Sequence, residues 1–143
     1  MAQHPSSVSD CMHRNPLTIH PDASLVEAIE TIVENRLTGL TVIDDDGKVR
    51  GVISELDCLR GVLASIYNDG APERARVEDV MTREVNSCSV QDSIVEVAQS
   101  MLDTRQRRRP VMEGDRLVGQ VSSRNILWAL MEHSRQRYFS QKR

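Results

Sequence analysis

The stretch Gly51-Val-Ile-Ser-Glu-Leu-Asp57 returns 68 positions later as Gly119-Gln-Val-Ser-Ser-Arg-Asn125. The pattern Val-x-Asp-x-Met also occurs twice, at residues 8–12 and at residues 77–81, with a shift of 69 positions. The one-residue difference falls in the Asp-rich segment 44–47, where a turn between two strands tolerates a change of length. Two copies of about 60 residues each therefore predict two similar structural units in one chain.

Each copy begins its first predicted helix after a serine. Ser24-x-x-Glu27 and Ser93-x-x-Glu96 have the pattern of capping boxes, in which the serine oxygen and the glutamate carboxylate each accept a hydrogen bond from a free backbone N–H. Behind each serine, apolar residues recur at the i, i+3, i+4, i+7, i+8 spacing of one buried helical face. These positions are 25, 28, 29, 32 and 33 in the first copy and 94, 97, 98, 101 and 102 in the second.

The remaining predicted elements follow one order, β-α-β-β-α, in both copies. Short extended segments are predicted near residues 17–20 and 86–89, and two strands surround an Asp-Gly turn in the first copy, at 40–43 and 48–53. A second helix is predicted from Glu55 to about Tyr67, and its counterpart from Ser123 to about His133. The predicted domain boundaries are 1–67 for the first repeat, 68–76 for a linker rich in Gly, Pro and charge, and 77–143 for the second repeat with a C-terminal helical tail.

Composition is that of an ordinary globular protein. Of the 143 residues, 39% are hydrophobic and 27% are charged, so a packed core is possible without disulfides or metal. The three cysteines show no C-x-x-C spacing, and the sequence has neither a secretory signal pattern nor an apolar run long enough to span a bilayer. These features favour a reducing cytoplasm as the location.

Charge is distributed unevenly along the chain. Residues 1–70 carry a net charge of −6 and residues 71–143 a net charge of +3, within a total of −3. An anionic ligand is therefore expected to prefer the second half.

The repeated Gly-x-x-Ser-x-x-Asp/Asn stretch has a chemical interpretation of its own. Ser54 is predicted to end a strand and start a helix, so that its hydroxyl and the free N–H groups of the first helical turn point to a common space that favours a phosphate. Asp57, one turn later, can accept two hydrogen bonds from a ribose diol. Gly39 and Gly51 permit close backbone approach. Ile19 and Leu40 are candidates to hold a flat base between them.

Taken together, the motifs resemble a tandem pair of cystathionine-β-synthase (CBS) domains, also called a Bateman module. The first copy adds Thr38-Gly-Leu-Thr-Val-Ile-Asp44 to the motifs above, and the second adds Arg108-Arg-Pro-Val-Met-Glu113. The resemblance covers nearly the whole chain. It implies an α/β (α+β) fold of two pseudo-symmetric β-α-β-β-α repeats packed sheet to sheet, dimerisation into a flat disc, and clefts that bind adenosine-containing ligands.

The same resemblance assigns ligand-binding residues. In the family the aspartate binds the ribose, the serine binds the phosphate, and the first strand and a Gly-Leu-Pro-like segment hold the base, although Thr41 stands here where the family usually has proline. Asn125 replaces the aspartate in the second copy and forgoes a charge-assisted bond of about 1 kcal/mol or more. The residues carried over are Thr18, Ile19, Gly39, Leu40, Ser54 and Asp57 for the first copy, and Ser87, Cys88, Arg109, Pro110, Ser122, Arg124 and Asn125 for the second.

Alternative interpretations stand beside these. Ser54-x-x-Asp57 is also a capping box that needs no ligand. The run from Arg105 to Arg109 either places one or two arginines in the second cleft or protects an exposed edge strand by charge. Segment 44–47 favours a turn over a calcium loop, because basic residues occupy later loop positions. Cys58 lies between two acidic residues, which predicts a raised thiol pKa.

The sequence leaves three classes of function. The first is a regulatory module without catalytic activity that binds AMP, ADP, ATP or S-adenosylmethionine in an inter-repeat cleft and acts on a partner protein in trans. The second is a ligand-free structural or interaction dimer, formed by the helices at 55–67 and 123–133, whose apolar residues lie on more than one side. The third, nucleic-acid binding through residues 105–109, is disfavoured by the acidic net charge. No catalytic residues, cofactor, metal or membrane partner are predicted.

Overall fold

The structure is a computed structural model that describes residues 7–68 and 70–141, with side chains described as far as residue 135. It confirms the mixed α+β class, since helices alternate with the strands of two three-stranded sheets. The chain divides into two compact units. One comprises Leu17–Val85 and is called here the Asp57 unit, and the other comprises Met1–Pro16 with Asn86–Arg143 and is called the Asn125 unit.

The Asp57 unit carries one sheet in the order β1-β2-β3. The first pair of strands is parallel and the second antiparallel, with an irregularity in register between Val42 and Ile43. Its elements are β1 (Thr18–Ile19), α1 (Leu25–Glu34), β2 (Gly39–Ile43), β3 (Val49–Ser54), α2 (Glu55–Tyr67) and α3 (Val77–Val80).

The Asn125 unit repeats this arrangement with the sheet order β4-β5-β6 and the same irregularity, between Val111 and Met112. After a 3-10 turn at Val8–Asp10, its elements are β4 (Cys88–Ser89), α4 (Ile94–Thr104), β5 (Arg108–Glu113), β6 (Arg116–Ser122) and α5 (Ser123–Gln141). Helix α5 continues past His133 to Gln141, within the segment that was predicted to form a C-terminal helical tail.

The helix starts are confirmed, but only half of each predicted capping box forms at α1 and α4. The Ser24 hydroxyl accepts a hydrogen bond from the Glu27 N–H at 3.0 Å, and the Ser93 hydroxyl accepts one from the Val95 N–H at 3.2 Å. Neither Glu27 nor Glu96 returns a bond to its serine among the described residues.

Each unit has its own aliphatic core. Leu25, Ala28 and Ile32 of α1 are buried under the first sheet, and Ile94, Val97 and Met101 of α4 are buried under the second. The last residue of each predicted buried face is wrong, since Val33 is 68% exposed and Leu102 is 73% exposed. Each of these residues follows a buried one by about 100° around the helix, which turns its side chain away from the sheet.

The opening segments of the two repeats are exchanged between the units. The Val77 N–H donates to the Ala23 carbonyl at 2.8 Å, so the opening segment of the second repeat belongs to the Asp57 unit. Correspondingly, the Val8 N–H donates to the Asp92 carbonyl at 2.9 Å in the Asn125 unit. The predicted boundaries, 1–67, 68–76 and 77–143, follow the sequence repeats, whereas the compact units cross them, because each repeat lacks the segment that covers its own sheet.

Gly51 and Gly119 show how the Gly-x-x-Ser motif of one repeat packs against the Val-x-Asp-x-Met motif of the other. A Cβ atom at Gly51 would lie 2.6 Å from the Thr82 carbonyl oxygen and 3.0 Å from the Met81 sulfur. At Gly119 it would lie 2.8 Å from the Met12 sulfur. The methionine of each opening segment therefore packs where the glycine of the opposite repeat leaves room for it.

The Asp-rich segment forms a turn, as predicted. The Asp44 carboxylate accepts hydrogen bonds from the N–H groups of Asp46, at 2.9 Å, and Lys48, at 3.0 Å. The bond from Lys48 is the main reason why the pKa of Asp44 lies below its ordinary value. Gly47 follows with a φ of 78°, which a residue without a side chain adopts at low cost.

Candidate functional site

The first candidate site lies where β3 passes into α2. Ser54 pairs with Gly39 in the antiparallel ladder, so the serine is placed at the end of the central hairpin. Its hydroxyl oxygen accepts a hydrogen bond from the Asp57 N–H at 3.1 Å, and Asp57 Oδ2 accepts one from the Ser54 N–H at 3.0 Å. The capping-box interpretation of Ser54-x-x-Asp57 is therefore confirmed. Ligand binding at these two residues stays a prediction.

Asp57 is held by more groups than the cap alone. It is 4% exposed, yet the Arg60 guanidinium donates to Oδ1 at 2.9 Å and the Thr82 hydroxyl lies 3.3 and 3.2 Å from the two carboxylate oxygens. The side chain of Arg60 is 70% exposed, whereas that of Asp57 is 5% exposed. A ribose diol at this carboxylate would have to replace one of these donors, and Arg60 is the one that can swing into solvent.

Neither Arg60 nor Thr82 is among the site residues predicted from the sequence. Arg60 stands at i+3 from Asp57, which is a recognisable ion-pair spacing on a helix. Thr82 is 25 positions away and reaches Asp57 only because the opening segment of the second repeat pairs with β3 through the Val52–Thr82 bridge. No signal in the sequence points to that contact.

Other predicted residues of the first site face the core. Ile19 is 7% exposed and Leu40 is 3% exposed, and both belong to the hydrophobic cluster under the sheet. Thr18 lies beside them in β1, opposite Thr41. The absence of a side chain at Gly39 serves the sheet itself, because a Cβ atom there would lie 2.8 Å from the Ile53 carbonyl oxygen. The structure thus brings Gly39, Ser54 and Asp57 together, with Leu40 in the adjacent register position, opposite Ile53. A role of Ile19 and Leu40 in holding a base stays a prediction.

The second candidate site, where β6 passes into α5, has the same backbone geometry and a different chemistry. The Ser122 hydroxyl oxygen accepts a bond from the Asn125 N–H at 3.1 Å, and Asn125 Oδ1 accepts one from the Ser122 N–H at 3.2 Å. The box is therefore closed by a neutral amide. At the place of Arg60, one turn further along, the second repeat has Trp128.

Arg109 is buried rather than directed at a solvent-filled cleft. It is 5% exposed, and its guanidinium donates to Gln106 Oε1 at 3.2 Å and to Thr104 Oγ1 at 3.1 Å. These acceptors lie at the C-terminal end of α4, where the helix dipole favours a cation. The edge-strand interpretation of this arginine run is wrong, because β5 is the central strand of its sheet. Arg105 and Arg107 are exposed and precede the strand.

The remaining second-site residues divide between surface and core. Ser87 and Arg124 are exposed, whereas Cys88 and Pro110 are buried. The Cys88 thiol lies 3.7 Å from the Pro110 carbonyl oxygen. Burial is the main reason why the pKa of Cys88 is raised to about 11, so its thiol is protonated at neutral pH and is not a reactive nucleophile.

The predicted direction for Cys58 is confirmed. The pKa of its thiol is raised, first by burial and then by the negative charges of Asp57 and Glu55. Within residues 7–68 and 70–141, no group of three or more His, Cys, Asp or Glu side chains is arranged to hold a metal ion. None of the helices in the described part of the chain combines the length and the apolar character needed to cross a membrane.

Comparison with known proteins agrees with this architecture. The CBS domain family matches residues 8–64 and again residues 77–132. The chain therefore belongs to the CBS domain family and carries two such domains in tandem. The resemblance inferred from the motifs is confirmed, and the two matched segments are the two sequence repeats.

Curated relatives are longer than this chain. The CBS domain-containing protein CBSX1 of Arabidopsis thaliana chloroplasts is 29% identical over an alignment of 143 positions, gaps included, that covers 82% of this chain and 60% of the relative. The uncharacterized protein MJ1225 of Methanocaldococcus jannaschii is 29% identical over 120 residues, which cover 84% of this chain and 41% of the relative. The chain thus spans about half the length of these two proteins.

Solved structures share the fold over most of their length. CBSX2 in complex with AMP, a protein from Arabidopsis thaliana, superposes with a TM-score of 0.78 at 28% identity and covers 89% of this chain and 97% of its own. The CBS domain pair of MJ0100, in complex with 5′-methylthioadenosine and S-adenosyl-L-methionine, superposes with a TM-score of 0.73 at 25% identity and covers 87% and 99%. Both of these related domain pairs bind adenosine derivatives.

Proposed function

We propose that this protein is a regulatory module that binds an adenosine-containing ligand and, through that ligand, changes how it acts on a separate partner protein. The observation that carries the proposal is the pair of equivalent strand-to-helix junctions, each closed by a Ser-x-x-Asp/Asn box. The AMP complex of CBSX2 and the two-ligand complex of MJ0100 support an adenosyl ligand. AMP, ADP, ATP and S-adenosylmethionine are the candidates.

Each junction supplies the elements of a nucleotide site. The N–H groups at the start of α2 lie next to the Ser54 hydroxyl and favour a phosphate. Asp57, fixed by its cap and by Thr82, accepts from the ribose hydroxyls once Arg60 turns away. In the Asn125 unit, the exposed Arg124 adds a positive charge where the carboxylate is missing. The chemistry proposed is binding and not catalysis.

A thermal-shift panel tests the proposal. The wild-type protein is heated with AMP, ADP, ATP, S-adenosylmethionine and, as a control for the base, GMP. A ligand present at a hundredfold excess over its Kd stabilises the folded state by about 2.7 kcal/mol, which is a readily measured rise in Tm. Absence of a shift with every adenosine compound would contradict the proposal.

A matched pair of variants separates binding from capping. Asp57→Ala removes a cap together with the proposed ribose acceptor. Asp92→Ala removes a comparable bond, from the Ser89 N–H to Asp92 Oδ2 at 2.8 Å, in the turn after β4 and outside either junction. We expect the ligand-induced shift of the Asp57 site to be lost in the first variant and kept in the second. Equal shifts in both variants would limit Asp57 to capping.

The second candidate function is an interaction dimer that needs no ligand, and a specific observation favours it. Both long helices expose apolar residues: Leu56, Leu59, Leu63 and Ile66 on α2 are 49–69% exposed, and Leu127 and Met131 on α5 are 63% and 43% exposed. Exposed apolar stripes of this kind mark association surfaces. We propose a second copy of this chain as the occupant, in line with the predicted homodimer.

Light scattering at micromolar concentration tests the dimer. The expected mass is twice the 16.1 kDa of the chain. Leu59→Glu and Leu127→Glu should each shift the protein toward the monomer, whereas Leu17→Glu, at a residue 49% exposed outside both helices, should leave the mass unchanged. A mass of one chain in the wild type would exclude the dimer and leave ligand binding unaffected.

A further inference from the structure

Trp128 is the one tryptophan of the chain, and it is 61% exposed. In the first repeat its place is taken by Arg60, which has a use there as the ion-pair partner of Asp57. In the second repeat Asn125 has no charge to pair with, and an indole replaces the guanidinium. A large aromatic side chain left in water without a covering neighbour favours a site where a ring is bound.

The indole borders a cleft whose lining residues all come from the Asn125 unit. Arg124, Trp128 and Glu132 recur every four residues along α5 and therefore share one face of the helix. The 3-10 turn with Asp10 forms the opposite side. The cleft has a volume of about 540 Å³, which is within the range of small-molecule sites.

The cleft contains two carboxylates, Asp10 and Glu132, and one guanidinium, so the place for an anion is beside Arg124. Its two carboxylates already have partners, since Asp10 accepts from the Ser7 N–H at 3.1 Å and Glu132 pairs with Arg135 at 3.4 Å. In contrast, the Arg124 guanidinium has no ion pair, and the side-chain NH₂ of Asn125 has no acceptor, among the described residues. The available groups are donors, and one of them is cationic.

A small ligand fits these observations better than a protein surface does. The rim of the cleft is charged or polar at Asp10, Arg124 and Glu132, whereas a docking helix requires a continuous apolar stripe. Such a stripe exists on a neighbouring side of α5, at Leu127 and Met131. The indole therefore stands on the polar side of the helix, at the border of the proposed dimer surface.

We propose that the cleft of the Asn125 unit binds a planar heteroaromatic ring that carries an anionic group, with the ring stacked on Trp128 and the anion beside Arg124. This inference rests on the proposed function, which makes an adenosine nucleotide the ligand class, with AMP as its simplest probe. In the Asn125 unit the base is assigned to the indole. The residue that corresponds there to Leu40 is Arg109, which is buried and is not aliphatic. The Asp57 unit has no equivalent ring.

Intrinsic fluorescence tests the stacking directly, because Trp128 is the sole tryptophan. AMP is titrated into wild type and into Asp57→Ala, in which the first junction is disabled. We expect a saturable change in tryptophan emission in both proteins, with similar Kd. A change that follows protein dilution instead of AMP would place Trp128 in an interface between copies and overturn the proposal.

Calorimetry of three variants gives the energetic test. Trp128→Ala should weaken AMP binding at this site by about 5- to 100-fold, the range found when an aromatic partner of a stacked base is removed, and Trp128→Phe should restore most of it. Arg124→Gln should weaken AMP and leave adenosine, which lacks the phosphate, unchanged. Leu102→Ala, at a residue of α4 that is 73% exposed and lies outside both the cleft and the proposed dimer surface, serves as the matched control and should bind AMP as wild type does.

The outcomes separate this inference from the proposed function. Binding of AMP with wild-type affinity by Trp128→Ala, and without a fluorescence change in wild type, overturns the stacking site while the regulatory function stands. Absence of any binding heat with AMP, ADP, ATP, S-adenosylmethionine and adenosine in wild type overturns both.

Discussion

The Asp57 junction and the Asn125 junction share a backbone and a capping serine, and they differ in the side chains around that serine. Both boxes close with hydrogen bonds of 3.0–3.2 Å. In the first, a buried carboxylate forms an ion pair with Arg60 and accepts a hydrogen bond from the Thr82 hydroxyl, whereas in the second a neutral amide leaves an arginine and an indole facing solvent. The cap therefore fixes the local fold of each unit, whereas the side chains around it differ between the units.

Charge separates the two units as well. The Asp57 unit contains fourteen acidic and seven basic residues, for a net charge of −7, and the Asn125 unit contains seven acidic and eleven basic residues, for a net charge of +4. The difference in net charge between the two units is larger than that between the two halves of the sequence, so the expected preference of anions is assigned to the Asn125 unit. An anionic ligand is attracted by the Asn125 unit and repelled by the other.

The greatest loss of stability is expected when a buried valine of an exchanged opening segment is replaced. Val8 and Val77 are fully buried, one in each core. Val77→Ala should cost about 1.5–3 kcal/mol of stability. Hydrogen exchange should then show faster opening of β2 and α1, which belong to the first repeat, and not of β5. Val8→Ala is the mirror control, and faster exchange confined to the mutated repeat would contradict the exchanged arrangement.

Replacing the two capping residues should have unequal effects on stability. Asp57→Ala removes a buried carboxylate with three partners and should lower the free energy of unfolding by about 1–3 kcal/mol. Asn125→Ala removes a neutral cap and should cost about 1 kcal/mol. Chemical denaturation of the ligand-free proteins measures both. Equal losses would mean that Arg60 and Thr82 add nothing to the cap.

Two groups, Cys88 and Asp44, should make stability depend on pH at the alkaline and the acidic end, respectively. Cys88 has a pKa raised from 9.0 to about 11, so the stability that its buried neutral thiol provides is present below pH 9 and is lost as pH rises toward 11. Cys88→Ala should flatten this alkaline decline of Tm. Asp44 has a lowered pKa, so its contribution is present above pH 4 and is lost on further acidification. Asp44→Asn should reduce the acid sensitivity, and unchanged pH profiles in both variants would contradict these assignments.

The smallest expected effect concerns the number of phosphates. Because Asp57 and Glu55 make the first junction negative, it should prefer adenosine, AMP or cationic S-adenosylmethionine over ATP, whereas the Asn125 junction should prefer more phosphates. Calorimetry of Asp57→Ala and Asn125→Ala isolates each site. The preference should weaken at high salt. ATP affinity and salt dependence equal to wild type in both variants would remove the distinction.

The sequence by itself determined what depends on near neighbours along the chain. Helix starts at Ser24, Ser54 and Ser93, the turn at Asp44 and the β-α-β-β-α order rest on hydrogen bonds within four residues and on apolar periodicity, both of which are visible in the order of residues. The duplication then led to the family. These features need no knowledge of what packs against them.

Only the tertiary structure decided which groups meet across the chain. Thr82 reaches Asp57 over 25 positions, Met12 fills the space at Gly119, and Arg109 turns inward to Thr104 although an arginine ordinarily stays in water. Ile19 and Leu40, assigned to a base from the motif, are core residues, because the face of a strand is fixed by the sheet and helices around it. Contacts of this kind depend on pairing between distant segments, and the free energy that selects one pairing is a property of the whole packed unit and not of any stretch of sequence.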